Sequence, residues 1–492
     1  MKVRLAGYNV DTDVLKELQD AAGKRDDVTP EVLSAAYARI SRDARSIEEI
    51  RKDARLEVEK ARSSNSNIIF KMGHHSVAEH AVFNLDIIGL SRLAMEEVEK
   101  FRLSSYTEKS QRYITLENDF VVPGEITSPG LRKAFTDLVR EQNEAYFRYF
   151  NLLKKYVFDK HTELAADPKN HNLLEGWAKE DARYITALAT ESQVGQTVNA
   201  RTLELMLRRF ASQEVSELKA LGRAIHKEIS KVAPSIVLFH EANDRDQKTY
   251  SELKELVSTL IDAIGASPTD KDVELADFTP DGDDVIAAAL LHTSTDLDYR
   301  ACRACIKSFS RNKTMDIFRA SWRNMNFYDS MPREFEYADL TFNVSLSAAC
   351  FGQIKRHRMT TITSQDYDPS LGVTIPGSIK ATGLEDDFME MISRTEQVYY
   401  RIREESRIAA PYALTNSHRK RILIKANARE LYHISRLRED SHSQWDIRNI
   451  SSEMLHQARG VMPMTFAFAG GKDRFSEIRG KVFEGVSVEG KK

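Results

Sequence analysis

Two stretches of the chain carry the same order of apolar and polar positions. In the first, Ala81 to Gly89 alternates apolar residues from Val82 or Phe83 through Ile87, a helical pattern runs from Ser91 to Lys100, and a polar turn leads to Phe120-Val-Val-Pro-Gly124. In the second, residues 337–352 open with alternating Leu340, Phe342, Val344 and Leu346, then turn to small helix-compatible residues, and a polar turn leads to Val373-Thr-Ile-Pro-Gly377. A period of two predicts a half-buried strand, so each stretch predicts a strand feeding a helix. Val198-Asn-Ala-Arg-Thr-Leu203 recurs as Ala426-Asn-Ala-Arg-Glu-Leu431, and each opens a long amphipathic pattern that ends near a proline, Pro234 or Pro463. Units of this length are too long for a solenoid and indicate one tandem duplication. The predicted organisation is a first repeat over 1–243, an acidic linker over 244–284 and a second repeat over 285–492. Ala266-Ser-Pro-Thr and Thr279-Pro-Asp-Gly282 break the linker, and one helix is predicted in it over Ser251 to Ile264. Residues 1–62 read as helices with charged outer faces.

Composition narrows the function classes. With 492 residues, 41% hydrophobic and 29% charged, the chain is long enough for about two to four soluble domains. A net charge of -3 gives no polyelectrolyte signature for nucleic acid or a membrane surface, so an anionic ligand must be held by local clusters. The absence of a long apolar run and of a leader pattern after Met1 predicts a cytoplasmic location. Cys302 and Cys305 form a C-x-x-C without a second pair among basic residues, which reads as a basic helix rather than a redox or zinc site.

Three segments carry candidate chemistry. Gln353-Ile-Lys-Arg-His-Arg358 follows the second strand and helix; Gln353 and Arg356, three apart, would share a helical face, and two guanidiniums beside an imidazole suit a phosphate or a dinucleotide. The same residues could form a solvated basic helix end. Lys71 to His80 packs three histidines and Glu79 into a segment that could open a helix at Ser76. It admits a metal site or a structural polar cluster, but the H-E-x-x-H spacing is absent, and no metal is assigned. Glu108, Ser110 and Arg112 alternate, so in an extended segment an acceptor, a hydroxyl and a guanidinium project to one side.

These segments resemble the flavin-dependent thymidylate synthases, whose signature is R-H-R-x-x-S-x-N-E-x-S-x-R. The first half reads Lys100-Phe101-Arg102-x-x-Ser105-x-Thr107-Glu108-x-Ser110-x-Arg112, and the second reads Arg356-His357-Arg358-x-x-Thr361-x-Thr363-Ser364-x-Asp366-x-Asp368. Each copy has lost a different end. The resemblance implies an α/β (α+β) protein made of two tandem copies of that family's fold, each a sheet packed with long helices. It implies reductive methylation of dUMP to dTMP, with FAD as cofactor and NADPH and methylenetetrahydrofolate as co-substrates. By resemblance Arg438 is the catalytic arginine, and Gln353, Arg356, Glu108, Ser110, Gln111, Arg112 and Arg183 bind substrate. His74, Ser76, Glu79, His357, Arg358, Asn199, Arg201, Asn427 and Arg429 bind the cofactor by the same resemblance.

The family enzyme is a homotetramer whose active sites draw on more than one subunit. The two sets here are complementary, which implies one composite site per pair of halves and a homodimer acting as a pseudo-tetramer. The reciprocal set is degraded: Glu97, Lys100 and Phe210 stand where Gln, Arg and the distal Arg belong, with Arg208 or Arg209 as possible stand-ins, and Arg407 is retained. Physics favours the same asymmetry. A phosphate against Asp366 or Asp368 meets a like charge, at a cost of about 4 kcal/mol at contact for an effective dielectric near 20. A related flavoenzyme acting on another pyrimidine nucleotide, and a non-catalytic nucleotide-binding protein, remain alternatives at this stage.

Overall fold

The computed structural model describes residues 1–20, 27–39, 45–66, 69, 75–112, 119–261 and 270–484. The chain divides into two compact units, Met1–Ala266 with Pro376–Asn416, and Ser267–Ile375 with Ser417–Lys492. The division does not follow the order of the repeats along the chain, because a helical segment from the second repeat belongs to the first unit.

The first unit holds a four-stranded antiparallel sheet in the order β1-β2-β4-β3, from β1 (Lys2–Tyr8), β2 (Val82–Ser91), β3 (Ser104–Glu108) and β4 (Glu191–Asn199). Its inner face, with Phe83, Leu85, Ile87, Val194 and Val198, is buried against the helices Ala200–Ser212 and Ser216–Ile229. Such alternation is what places every second side chain of a strand in a core. The helices Pro129–Lys160 and Glu385–Glu405 pack together in this unit. Gln142, fully buried, donates from Nε2 to Thr395 Oγ1 at 2.9 Å and to the Ala413 carbonyl at 3.1 Å.

The second unit repeats the sheet as β5-β6-β8-β7, from β5 (Val273–Phe278), β6 (Asp339–Ser347), β7 (Thr361–Ser364) and β8 (Arg419–Asn427). Leu340, Phe342, Val344, Ile422 and Ile424 face a core that includes Trp322, Phe318, Phe335 and Phe468. Two structurally similar α/β units, each a small antiparallel sheet flanked by helices, confirm the predicted duplicated fold.

The ladders fix the correspondence between copies residue by residue. β4 and β8 each run into an asparagine that caps the next helix: Asn199 Oδ1 accepts from Thr202 N at 2.8 Å, and Asn427 Oδ1 from Glu430 N at 2.9 Å. Glu108 pairs with Val194 and Ser364 with Ile422, five positions before those caps, so Ser364 occupies the place of Glu108. Ser91 and Ser347 cap the helices Arg92–Val98 and Ala348–Ile354, which sets Phe101 opposite His357 and Lys100 opposite Arg356. The one extra residue of β2 is absorbed by a bulge between Ile88 and Leu90, where Gly89 takes a φ of 75°.

Two strands depart from the sequence expectation. β1 lies where helices are predicted, and β5 lies inside the predicted linker. Both are edge strands, and each carries charges on its uncovered face (Lys2 and Arg4; Glu274 and Asp277), so their patterns read as polar surface. The predicted linker helix is Asp244–Ile261, and residues 262–269 lie outside the described residues. The long pattern after each N-A-R motif is two helices, Ala200–Ser212 with Ser216–Ile229, and Ala428–Arg438 with Trp445–Val461. Among the described residues no helix is long and apolar enough to cross a membrane.

Candidate active site

In the second unit the short helix Ala348–Ile354 ends at the basic segment, so Gln353 and Arg356 do not share a helical face. Gln353 is buried and donates from Nε2 to Gln444 Oε1 at 3.0 Å, whereas Arg356 and Arg358 lie past the helix end and are exposed. Between them His357 turns inward and is 4% exposed. Arg438, on the last turn of the helix Ala428–Arg438, donates from Nε to His357 Nε2 at 2.9 Å and from Nη2 to the Gln353 carbonyl at 3.0 Å. A guanidinium only donates, so His357 Nε2 must accept and the ring proton sits on Nδ1, which faces Glu430 Oε1 at 3.6 Å. Burial, then the charges of Arg438 and His433, hold the His357 pKa well below the usual imidazole range. Burial pushes the Glu430 carboxyl up. Two bonds on one guanidinium and a neutral imidazole behind it fix the plane of Arg438.

The first copy replaces both partners. Phe101 stands at the position of His357, and Phe210, eleven residues after Asn199 as Arg438 is after Asn427, stands at the position of Arg438. Their rings meet edge to face at 6.1 Å, and Phe210 is fully buried. Arg208 and Arg209, the possible stand-ins, both face the buried carboxylate of Asp246, at 2.7 and 3.5 Å.

The first unit instead carries the other donor set. β3 ends at Glu108, and the chain turns, with the Arg112 amide donating to Ser110 Oγ at 3.2 Å, so the three residues do not form one extended row. Glu108 Oε1 accepts from Ser192 Oγ at 3.1 Å, and Gln111 Oε1 accepts from Asn416 Nδ2 at 3.2 Å. Arg112 pairs through Nε with Glu180 Oε2, and Arg183, 7% exposed, lies one helical turn further on. Burial pushes the Glu180 carboxyl up against the pull of Arg112 and Arg183, and it lowers the Arg183 pKa. Pro411 takes the place of Arg183 in the second copy, as counted from the bridges at Ala187 and Thr415, and Arg407 is exposed.

The remaining candidates are placed as follows. His74 lies outside the described residues; Ser76 and Glu79 sit on the 3-10 turn His75–His80. Arg201 Nη1 donates to Glu79 Oε1 at 2.5 Å, and Arg429 Nη1 donates to Glu336 Oε1 at 2.9 Å, so the two copies keep one arginine-glutamate pair. Asn199 and Asn427 spend their side-chain oxygens on helix caps. Sequence reasoning missed Glu180, Glu430 and Gln444. Glu180 pairs with Arg112 and Glu430 faces His357, each far away in the sequence, and nothing in a single sequence marks the two apart from surface glutamates.

His357 gives a pH prediction. A depressed folded pKa means that the unfolded chain takes the proton first, so stability is lost as pH falls below ~6.5, by up to about 1.4 kcal/mol per pH unit. His357→Phe, which installs the first copy's residue, should flatten that limb in urea titrations between pH 7 and 5. An unchanged slope would contradict the buried neutral imidazole.

Fold and donor sets together define a duplicated α/β protein whose two copies carry different sets of polar and guanidinium side chains. Comparison with known proteins makes this specific. The family described as "Thymidylate synthase complementing protein" matches residues 26–235 and 274–464, and the chain belongs to that family. A "UPF0159 protein" of Chlamydia muridarum is 23% identical over 436 residues, 85% of this chain and 82% of the relative. A "UPF0159 protein" of Thermoplasma acidophilum is 22% identical over 437 residues, 80% of this chain and 86% of the relative. A "Flavin-dependent thymidylate synthase" of Clostridium tetani is 30% identical over 211 residues, 42% of this chain and 80% of the relative.

Proposed function

We propose that the chain is a flavin-dependent thymidylate synthase: it methylates dUMP to dTMP with methylenetetrahydrofolate as carbon donor, FAD as cofactor and NADPH as reductant. The observation that carries this reading is the fixed His357-Arg438 pair in one copy against the aromatic Phe101-Phe210 pair in the other. A cationic donor retained in only one of two copies is what a single productive site per pair requires, whereas decay of function would leave neither copy with it. The donor groups also fit the cofactor: exposed Arg358 lies past the helix end and suits a pyrophosphate. Asn199, Asn427, Arg201 and Arg429 keep intramolecular partners, so any contact they make to a flavin draws on their remaining donors.

When bound, the flavin supplies the hydride chemistry. The protein's part is binding and charge. Arg438 stabilises negative charge developing on the pyrimidine as C5 becomes nucleophilic. Arg112, Arg183 and Arg356 hold the phosphate, while Ser110, Gln111, Glu108 and Gln353 supply neutral and acceptor groups for the sugar and base. The two sets come from different units of the chain, and a homodimer is the working form.

The decisive experiment is a visible absorption spectrum of the purified protein with FAD, then with dUMP, followed by a turnover assay. A flavin band that shifts with dUMP, with dTMP formed, supports the function; a flavin-free protein without turnover overturns it. The degraded set gives a further expectation. Asp368 caps the turn Pro369–Leu371, its Oδ1 accepting from Ser370 N at 2.9 Å, so Asp368→Asn keeps the cap and should leave kcat/KM within about twofold. A large loss would place the productive nucleotide on the second unit's segment instead.

A further inference from the structure

The outer face of the second unit's sheet holds a cavity of about 440 Å³, lined among others by Lys271, Asn343, Thr363, Ser364, Gln365 and Arg421. Its volume lies within the ~300–1,000 Å³ typical of small-molecule sites. The ladders show what stands at the same places in the first unit. Ser364 occupies the position of Glu108. Asn343 pairs with Leu423 as Asp86 pairs with Gly195, and Ser345 pairs with Arg421 as Ile88 pairs with Gln193. On this outer face Asn343 therefore replaces Asp86 and Arg421 replaces Gln193, while Glu274 stands where the first copy has Arg4; Ser364 pairs with the core residue Ile422 and lies at the rim.

This substitution differs from simple decay. Neighbouring charges on the same face are compensated locally: Arg419 pairs with Asp272 at 2.6 Å, Lys425 with Asp339 at 3.0 Å, and Glu274 accepts from Asn343 Nδ2 at 3.3 Å. Arg421 is half-buried and its guanidinium makes no ion pair among the described residues. A half-buried cation facing a polar cavity is held at a desolvation cost that an anion would offset. The surrounding hydroxyls of Ser345, Thr363 and Ser364 and the amide of Gln365 supply donors that suit phosphate oxygens, and Leu423 gives a small apolar wall.

We propose that this cavity is a separate binding site for a small phosphate monoester, built on the half-buried Arg421 that replaces Gln193 of the first copy. The phosphate sits on Arg421 and Lys271, and the organic part lies along Thr363 to Gln365. The inference rests on the sheet registers and the cavity, so it stands or falls independently of the thymidylate synthase reading.

The test uses the full chain and glycerol 2-phosphate as probe, with affinity from calorimetry and location from hydrogen exchange over Thr361–Ser364 and Arg419–Asn427. Wild type should bind with added protection in those strands. Arg421→Gln installs the residue found at this register in the first sheet, and Asn343→Asp restores the carboxylate of Asp86. Each should weaken binding by about tenfold or more and remove that protection, while Arg112→Ala in the first unit leaves it intact. Undiminished protection in both cavity variants, or protection confined to the first unit, overturns the proposal. Should Arg421→Gln unfold, Asn343→Asp, at an exposed position of β6, decides the matter alone.

Discussion

Arg438→Ala should lower kcat/KM for dUMP by about a thousandfold while the protein still binds flavin, because it removes a fixed donor from the position where negative charge develops. The geometry explains why the effect should be large. Arg438 is held by His357 Nε2 and by the Gln353 carbonyl, so its orientation is set before substrate arrives and little reorganisation remains. Arg438→Lys keeps the charge but not the planar fork, cannot make both bonds, and should recover only a small part of the loss. A split in which kcat falls and flavin absorbance is retained assigns Arg438 to the chemical step. Unaltered activity in Arg438→Ala would remove it from the mechanism. His357→Phe should also lower kcat, and the double substitution with Arg438→Phe, which recreates the packing of Phe101 on Phe210, should fold but not turn over.

The duplicated fold was legible because strands and caps repeat in the sequence. Phe342 and Val344 alternate as Phe83 and Leu85 do, and the N-A-R motifs sit at the same strand ends. The edge strands β1 and β5 were not legible, since a strand covered on one side and charged on the other has no pattern that separates it from exposed helix or linker. The donor residues were legible as types but their geometry was not. Gln353 and Arg356 suggested one face, yet the helix stops at Ile354 and the two diverge, one into the core and one to solvent. Glu108, Ser110 and Arg112 suggested an extended row, yet the chain turns after Glu108. Pairing with Glu180 and Glu430 lies beyond what spacing encodes, because each joins segments far apart in sequence. Nor could sequence order foresee that the helix Glu385–Glu405 of the second repeat is built into the first unit, where Thr395 receives the buried amide of Gln142.

Glu180→Ala should destabilise the first unit by about 3–5 kcal/mol, the cost of leaving buried cations without their counter-charge. Glu180 is 6% exposed and stands between Arg112 and Arg183, with Arg183 also donating from Nε to the Glu180 carbonyl at 3.3 Å. Those two arginines are the ones assigned to the nucleotide phosphate, so the carboxylate holds in the folded protein a place whose charge resembles that of the ligand. A functional consequence separates this from an ordinary buried ion pair. Inorganic phosphate should restore stability to Glu180→Ala, with the urea midpoint rising as the logarithm of phosphate concentration, because an anion that binds only the folded chain adds RT ln(1 + [L]/Kd). Chloride at equal ionic strength should not. The parallel variant Arg183→Ala, which leaves Glu180 with Arg112 alone, should lose less stability and gain nothing from phosphate. If phosphate leaves the Glu180→Ala midpoint where chloride does, the two guanidiniums serve the fold rather than the nucleotide, and the phosphate grip must be sought at Arg356.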